Sequence, residues 1–222
     1  MIDHINEMTS SNIITVEDPI EFLYRDKRSI ISQREVGYDT QNFPNALRAS
    51  FREDPDTILI GEIRDQETMH IALQAADTGH LVMSTLHTMN ATETISRIVS
   101  FYPPHQHQQV RLLLANTLVA IISLRLLPRK DKQGRVPAAE ILVNNAAIHD
   151  YLVNQEMTHM IEPAIREGTA QYGSQSFDQS IFKLFADDVI SYEVALRSAS
   201  NPADFELKLR GVEGASDRSW MT

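Results

Sequence analysis

"DPDTILIGEIRD", residues 54–65, is the stretch on which the fold turns. Thr57, Ile58, Leu59 and Ile60 read as a buried strand, because β-branched and apolar residues run together between polar flanks. Glu62 follows two positions after the last of them. A carboxylate at that point is either a solvated loop residue or a group held at a sheet edge for chemistry.

The same pattern recurs on both sides. "NIITV" (12–16) reads as a strand that runs into Glu17 and Asp18, and "LVMSTL" (81–86) as one that runs into His87. Helical patterns alternate with these strands. "NFPNALRASFRE" puts Phe43, Ala46, Leu47, Ser50 and Phe51 on one face, with Arg48 and Arg52 one turn apart on another. "DQETMHIALQAADTGH" has Asp65 to cap its start, an apolar stripe of Met69, Ala72, Leu73 and Ala76, and Gly79 to end it. Asn90, with Glu93 three residues on, has the spacing of a capping box. Alternation of this kind predicts an α/β fold, a mainly parallel sheet covered by helices. The carboxyl ends of such strands share one edge, where ligands bind. Glu17, Glu62 and His87 are therefore expected together, carboxylates to hold a hydrated Mg²⁺ or polarise a water and an imidazole to reach a phosphate oxygen.

Further along, a helix is expected from Gln106 to about Ile122, then two strands joined by a polar turn around Gly134. The remainder reads as helical, with Ser176, Ser191 and Asn201 as caps.

Composition narrows the function. Lys plus Arg total 20 against 30 Asp plus Glu, a formal charge of −10, which argues against a general nucleic-acid binder. The chain has no cysteine, so disulfides and thiolate zinc sites are excluded and a reducing compartment is compatible. The most apolar segment, "LLLANTLVAIISLRLL" (112–127), falls short of the ~20 residues of a bilayer span and carries Asn116 and Arg125, so no transmembrane segment is expected. "MIDHINEMTSSN" has no basic start followed by an apolar run, which leaves the cytoplasm as the expected location.

Several residues have a second reading. His80, after Gly79, suits a helix C-terminus paired with the dipole as well as a catalytic role. Arg48 and Arg52 suit a solvated helix face. Eight histidines admit a metal hydrolase built on His80, His87, His105, His107 and the glutamates, although no H-E-x-x-H spacing is present.

"ITVEDPIEF" resembles the Asp box, "REDPDTILIGEIRD" the Walker B segment and "TGHLVMSTLHT" the His box of the secretion ATPase superfamily that drives type IV pili and type II secretion. "GRVPAAEILV" and "SQSFDQSI" resemble its pilus-retraction branch more than the secretion or extension branches. The resemblance implies a RecA-like P-loop NTPase core at 1–145, a helical region at 146–211 and a disordered tail at 212–222. It also implies a homo-hexameric ring, ATP with Mg²⁺ as cofactors, and work on pilus machinery at the cytoplasmic face of the inner membrane. By position, Glu62 would orient the attacking water and Glu17 would organise Mg²⁺. His80 and His87 would be the His-box pair, with His87 nearer the γ-phosphate. Arg48, Arg52 and Arg64 would face nucleotide charge or an interface, and which of them is an arginine finger stays open. Gly61 stands where Walker B segments usually have Asp.

Two departures qualify this. "AIHDYLVNQ" (147–155) replaces the arginines of the segment that couples hydrolysis to retraction. More seriously, a P-loop needs G-x-x-x-x-G-K-[ST], and none of the five lysines, Lys27, Lys130, Lys132, Lys183 and Lys208, follows a glycine. "MIDHIN" resembles the tail of the helix after the P-loop, so the chain is expected to start just downstream of that loop, without the family's PAS-like domain. A missing phosphate cradle and central strand would leave an open strand edge and little ATPase activity in this polypeptide. The alternative is a short, non-hydrolysing paralogue that binds or regulates such a ring.

Overall fold

A computed structural model describes residues 1–209. The chain divides into two compact units: Met1–His87 with Ile98–Thr117, and Thr88–Arg97 with the residues from Leu118 on. The hairpin that follows Thr117 packs with the later helices. Residues 212–222 lie outside the described residues.

The first unit holds a four-stranded sheet. Its strands are β1 (Asn12–Glu17), β2 (Ile30–Glu35), β3 (Thr57–Ile60) and β4 (Leu81–Ser84), in the order β2-β1-β3-β4. All three pairings are parallel, as expected of an α/β sheet. β1 and β3 are central and buried on both faces, so they read as apolar runs rather than alternating ones. Ile13, Ile14, Val16, Ile58 and Ile60 are all essentially inaccessible.

β2 was not expected, since "IISQRE" has only two apolar residues and lies in what reads as a polar stretch. It is an edge strand, and polar side chains are normal there. The residues before it cover that edge: Tyr24 donates its N–H to Gln33 Oε1 (2.8 Å) and Asp26 Oδ1 accepts from Ile31 N (3.0 Å). β4 forms the opposite edge and, among the described residues, pairs with β3 alone. Its Leu81 is exposed.

The helices of this unit are α1 (Ile2–Met8), α2 (Phe43–Ser50), α3 (Gln66–Asp77), the end of α4 (Ala91–Ser100) and α5 (His107–Thr117). α2 packs on β1 and α3; α3 also packs on β4 and α5. α3 starts where its cap predicts, with Asp65 Oδ1 accepting from Thr68 N at 2.8 Å. It ends before Gly79, whose φ of +100° is the left-handed backbone that glycine adopts without penalty.

The helix expected from Gln106 to about Ile122 is shorter. It stops at Thr117, and Ala120 already belongs to β5 (Ala120–Pro128). The continuous apolar run hid a change of period. From Ala120 the burial alternates, with Ile121, Ser123 and Leu127 inward and Ile122, Leu124 and Leu126 outward. β5 pairs antiparallel with β6 (Arg135–Val143) across a turn in which Gly134 has φ +117°.

The second unit continues through α6 (Ala146–Val153), α7 (Ile161–Glu167), α8 (Thr169–Tyr172), α9 (Phe177–Ala186), α10 (Tyr192–Ser198) and α11 (Pro202–Leu209). α9 opens with a full capping box: Ser176 Oγ accepts from Gln179 N, and the Gln179 side chain accepts from Ser176 N. Phe177, Ile181, Ile190, Ala195 and Phe205 gather with Leu127 and Ala138 of the hairpin into one core. Among the described residues no helix is long and apolar enough to cross a membrane.

The central strands carry this sheet. Ile14→Ala, at a site with 0% exposure, should lower unfolding free energy by about 2–5 kcal/mol, read as a shift in the chemical-denaturation midpoint with unchanged slope.

Candidate active site

Register fixes where the polar residues fall. Val16 pairs with Ile60, and Ile60 with Ser84, so β1, β3 and β4 run out together. Glu17 is the last residue of β1, Glu62 lies two past β3 and His87 three past β4. All three therefore stand at the carboxyl edge of one sheet.

Backbone bonds extend the pairing beyond the strands. Gly61 N donates to Val16 O at 2.7 Å, Thr85 Oγ1 to Gly61 O at 2.6 Å, and Ile63 N to Thr85 O at 3.2 Å. Gly61 is small for a reason. A Cβ there would sit 3.2 Å from Glu17 Cα and 3.3 Å from Val16 O, tighter than ordinary van der Waals contact. A side chain at 61 would require the Glu17 backbone to give by a few tenths of an ångström.

Glu62 is held at both oxygens. Arg64 donates to Oε1 in a short ion pair, and His87 Nε2 lies 3.2 Å from Oε2. The carboxylate is largely covered, at 12% side-chain exposure, while Arg64 and His87 are open at 67% and 88%. The Arg64 guanidinium holds the Glu62 carboxyl below the usual carboxylate range, and His87 pushes the same way. Asp18 Oδ2, 4.0 Å from Arg64 Nη1, adds a second carboxylate on the far side of the guanidinium.

Glu17 is buried and differently held. Its Oε1 accepts from Thr15 Oγ1 at 2.6 Å and from Gln33 Nε2 at 3.1 Å. Sequence reading missed both partners. Thr15 precedes Glu17 by two residues and so shares its face of the strand, a signal that was available. Gln33 is the register partner of Thr15 on β2, and could not be found without that strand. Glu35, the register partner of Glu17, accepts from Ile20 N at 3.0 Å and shapes the turn after β1.

The other expected residues lie elsewhere. His80 precedes β4, at the opposite end of that strand from His87. Its Nδ1 donates to Ala75 O at 2.9 Å, with Thr78 Oγ1 at 3.1 Å, and its ring lies tilted against that of Phe51, centroids 5.8 Å apart. It closes the C-terminus of α3. Arg48 forms an exposed ion pair with Glu67. Arg52 follows Phe51 and so lies by the His80 end of the sheet.

The donors suit Mg²⁺, a hard cation that takes one or two carboxylates and completes its shell with water and phosphate oxygens. Glu17, oriented by two hydrogen bonds, is the residue that would hold it. Among the described residues no three His, Asp or Glu side chains converge into a cage, so the metal-hydrolase reading gains no support.

Comparison with known proteins adds to this. The sequence profile of the family "Type II/IV secretion system protein" matches residues 1–181. The chain belongs to that family. A twitching motility protein of Neisseria gonorrhoeae is 45% identical over 201 residues, which cover 90% of this chain and 53% of the relative. The type IV pilus ATPase PilU of Pseudomonas aeruginosa is 39% identical over 218 residues, covering 98% of this chain and 56% of its own. A crystal structure of the pilus retraction motor PilT with bound ADP superposes with a TM-score of 0.83 at 44% identity, covering 93% of this chain and 57% of that one. The chain thus spans about half the length of the relatives it matches. The α/β fold expected of a secretion ATPase is the one found.

The Glu62 environment is open to titration. Arg64→Gln should raise the Glu62 pKa toward the ordinary carboxylate value, followed by carbon-detected NMR. A depressed carboxylate stabilises the fold above its unfolded pKa and loses that contribution as pH falls through the folded value, so the variant should also show less loss of stability on acidification.

Proposed function

We propose that this chain supplies the catalytic edge of an ATP-driven motor subunit that retracts type IV pili. The observation that carries the reading is the Glu62 carboxylate, fixed at the end of β3 between Arg64 and His87 and one strand away from Glu17. Hydrolysis of a phosphoanhydride needs a group to aim water, a site for the metal and cations for the charge on the leaving phosphate. Those three kinds of group are present on one sheet edge.

Glu62 orients the attacking water. Its depressed pKa makes it a weak base, which favours aiming the water over removing its proton early. His87 and Arg64, both exposed, face the γ-phosphate oxygens once they release Glu62. Glu17 would hold Mg²⁺, which when bound would supply positive charge to offset that of the phosphates. His80, Arg48 and Arg52 have no part in this cluster within one chain. The likeness to twitching motility and retraction proteins supports pilus retraction as the work done, in a homo-hexameric ring peripheral to the cytoplasmic face of the inner membrane.

The 222 residues contain no Gly-x-x-x-x-Gly-Lys-Ser/Thr. Without those backbone N–H groups and lysine, the β- and γ-phosphates have no cradle. This polypeptide by itself should therefore release phosphate from ATP only at background rate. Fused in frame behind a P-loop-bearing segment of an ATP-hydrolysing relative, it should hydrolyse ATP, and Glu62→Gln in the fusion should slow turnover roughly 100-fold or more. A fusion that folds but does not hydrolyse, or one indifferent to Glu62→Gln, would overturn the reading.

A further inference from the structure

Both hydrogen bonds that reach the Glu17 carboxylate fall on the same oxygen. Thr15 Oγ1 donates to Oε1 at 2.6 Å, and Gln33 Nε2 donates to that same atom at 3.1 Å. Among the described residues, no hydrogen bond or ion pair reaches Oε2. A carboxylate accepts through either oxygen, so the uneven load comes from where the donors stand. Thr15 and Gln33 are register partners on neighbouring strands and approach Glu17 from one side.

The Gln33 amide is not free to choose its direction. Its Nε2 also donates to Phe22 O at 2.9 Å, and its Oε1 accepts the Tyr24 N–H at 2.8 Å. An amide nitrogen carries a pair of N–H donors; here one goes to Glu17 and the other to Phe22. Turned over, the amide would set its oxygen against the Glu17 and Phe22 acceptors and its nitrogen against the Tyr24 N–H. The backbone of residues 22–24 thus decides which end of Gln33 meets Glu17. Packing does little to hold that segment, since the side chains of Phe22 and Leu23 are 73% and 85% exposed.

We infer that Gln33 is a positioning residue for Glu17: its amide, aimed by the Phe22 and Tyr24 backbone, occupies Oε1 and leaves Oε2 as the oxygen offered to a cation. This rests on the reading of Glu17 as the residue that would hold the metal. Mg²⁺ demands a near-octahedral shell and keeps several waters, which suits a carboxylate presenting a single oxygen, whereas Ca²⁺ also takes carboxylates through both oxygens. Gln33 therefore biases the site toward Mg²⁺ and against Ca²⁺. With an apolar side chain at 33, Glu17 keeps only the Thr15 hydroxyl and can turn to present both oxygens.

The test uses the 222-residue chain without nucleotide, titrated with Mg²⁺ alone and with Ca²⁺ alone. The Glu17 carboxyl carbon and the amides of Glu17, Asp18 and Gly61 are followed by NMR. Gln33→Leu should weaken Mg²⁺ binding on the order of tenfold and Ca²⁺ binding by less, so that the ratio of the affinities moves toward Ca²⁺, with the amides of β3 unchanged. Gln33→Asn, whose amide is one methylene short of reaching both Glu17 and residues 22–24, should do the same and serves if the leucine variant does not fold. Unchanged Mg²⁺ affinity, or equal weakening of both cations, would overturn the inference. Glu17→Gln should abolish the metal response at Asp18 and Gly61. A response that survives it, or none in the unaltered chain, would fault the assignment of the metal to Glu17 rather than the role of Gln33.

Discussion

Parallel pairing in register is the constraint on which the rest depends. β1, β3 and β4 hydrogen-bond in one direction and end at the same level, so whatever residue follows each strand emerges at a common edge. A slip of one residue would turn every side chain of a strand to the other face. The register is secured past the strands by the bonds from Gly61 to Val16 and from Thr85 to Gly61. The missing side chain at 61 permits both the close approach and the placement of Glu17. Chemistry at the edge is thus a by-product of how tightly the strand ends are joined.

On that edge the two glutamates differ because their surroundings differ. Glu17 is buried against Thr15 and Gln33, neutral donors that orient the carboxylate without neutralising it. Glu62 meets the Arg64 guanidinium and the His87 imidazole and has both oxygens engaged. The first arrangement orients the side chain through hydroxyl and amide donors. The second stores a carboxylate in an occupied state, from which exposed partners can be drawn away by a competing anion. A triphosphate is an anion of that kind, and Arg64 and His87 are the groups it would attract.

Much of this was legible in the sequence, and the reasons are specific. Thr57–Ile60 could be recognised as a buried parallel strand because such strands are apolar on both faces, and the polar residue after each strand was in plain view. Asp65, Ser176 and Ser191 announced their helices because capping is a local interaction between a side chain and a nearby N–H. β2 was hidden because an edge strand covered by a loop needs few apolar residues. The end of α5 was hidden because Leu118–Ile122 are apolar in either conformation, and only the alternating burial in the hairpin decides between them. His80 was grouped with His87 through family resemblance, yet a four-residue strand separates their positions and puts them at opposite ends of β4. The Ala91 N–H donates to Glu140 Oε1 across 49 residues of chain, a pairing that no local pattern could signal.

The most direct measurement is a paramagnetic map of the sheet edge. The chain has no cysteine of its own, so a nitroxide on His87→Cys labels one position. The account predicts strong broadening of the amides of Glu17, Asp18 and Gly61–Arg64, with much weaker effects at Asn12, Asp56 and His80 at the other ends of the same strands. Equal broadening at both ends, or none at Glu17, would contradict a shared catalytic edge.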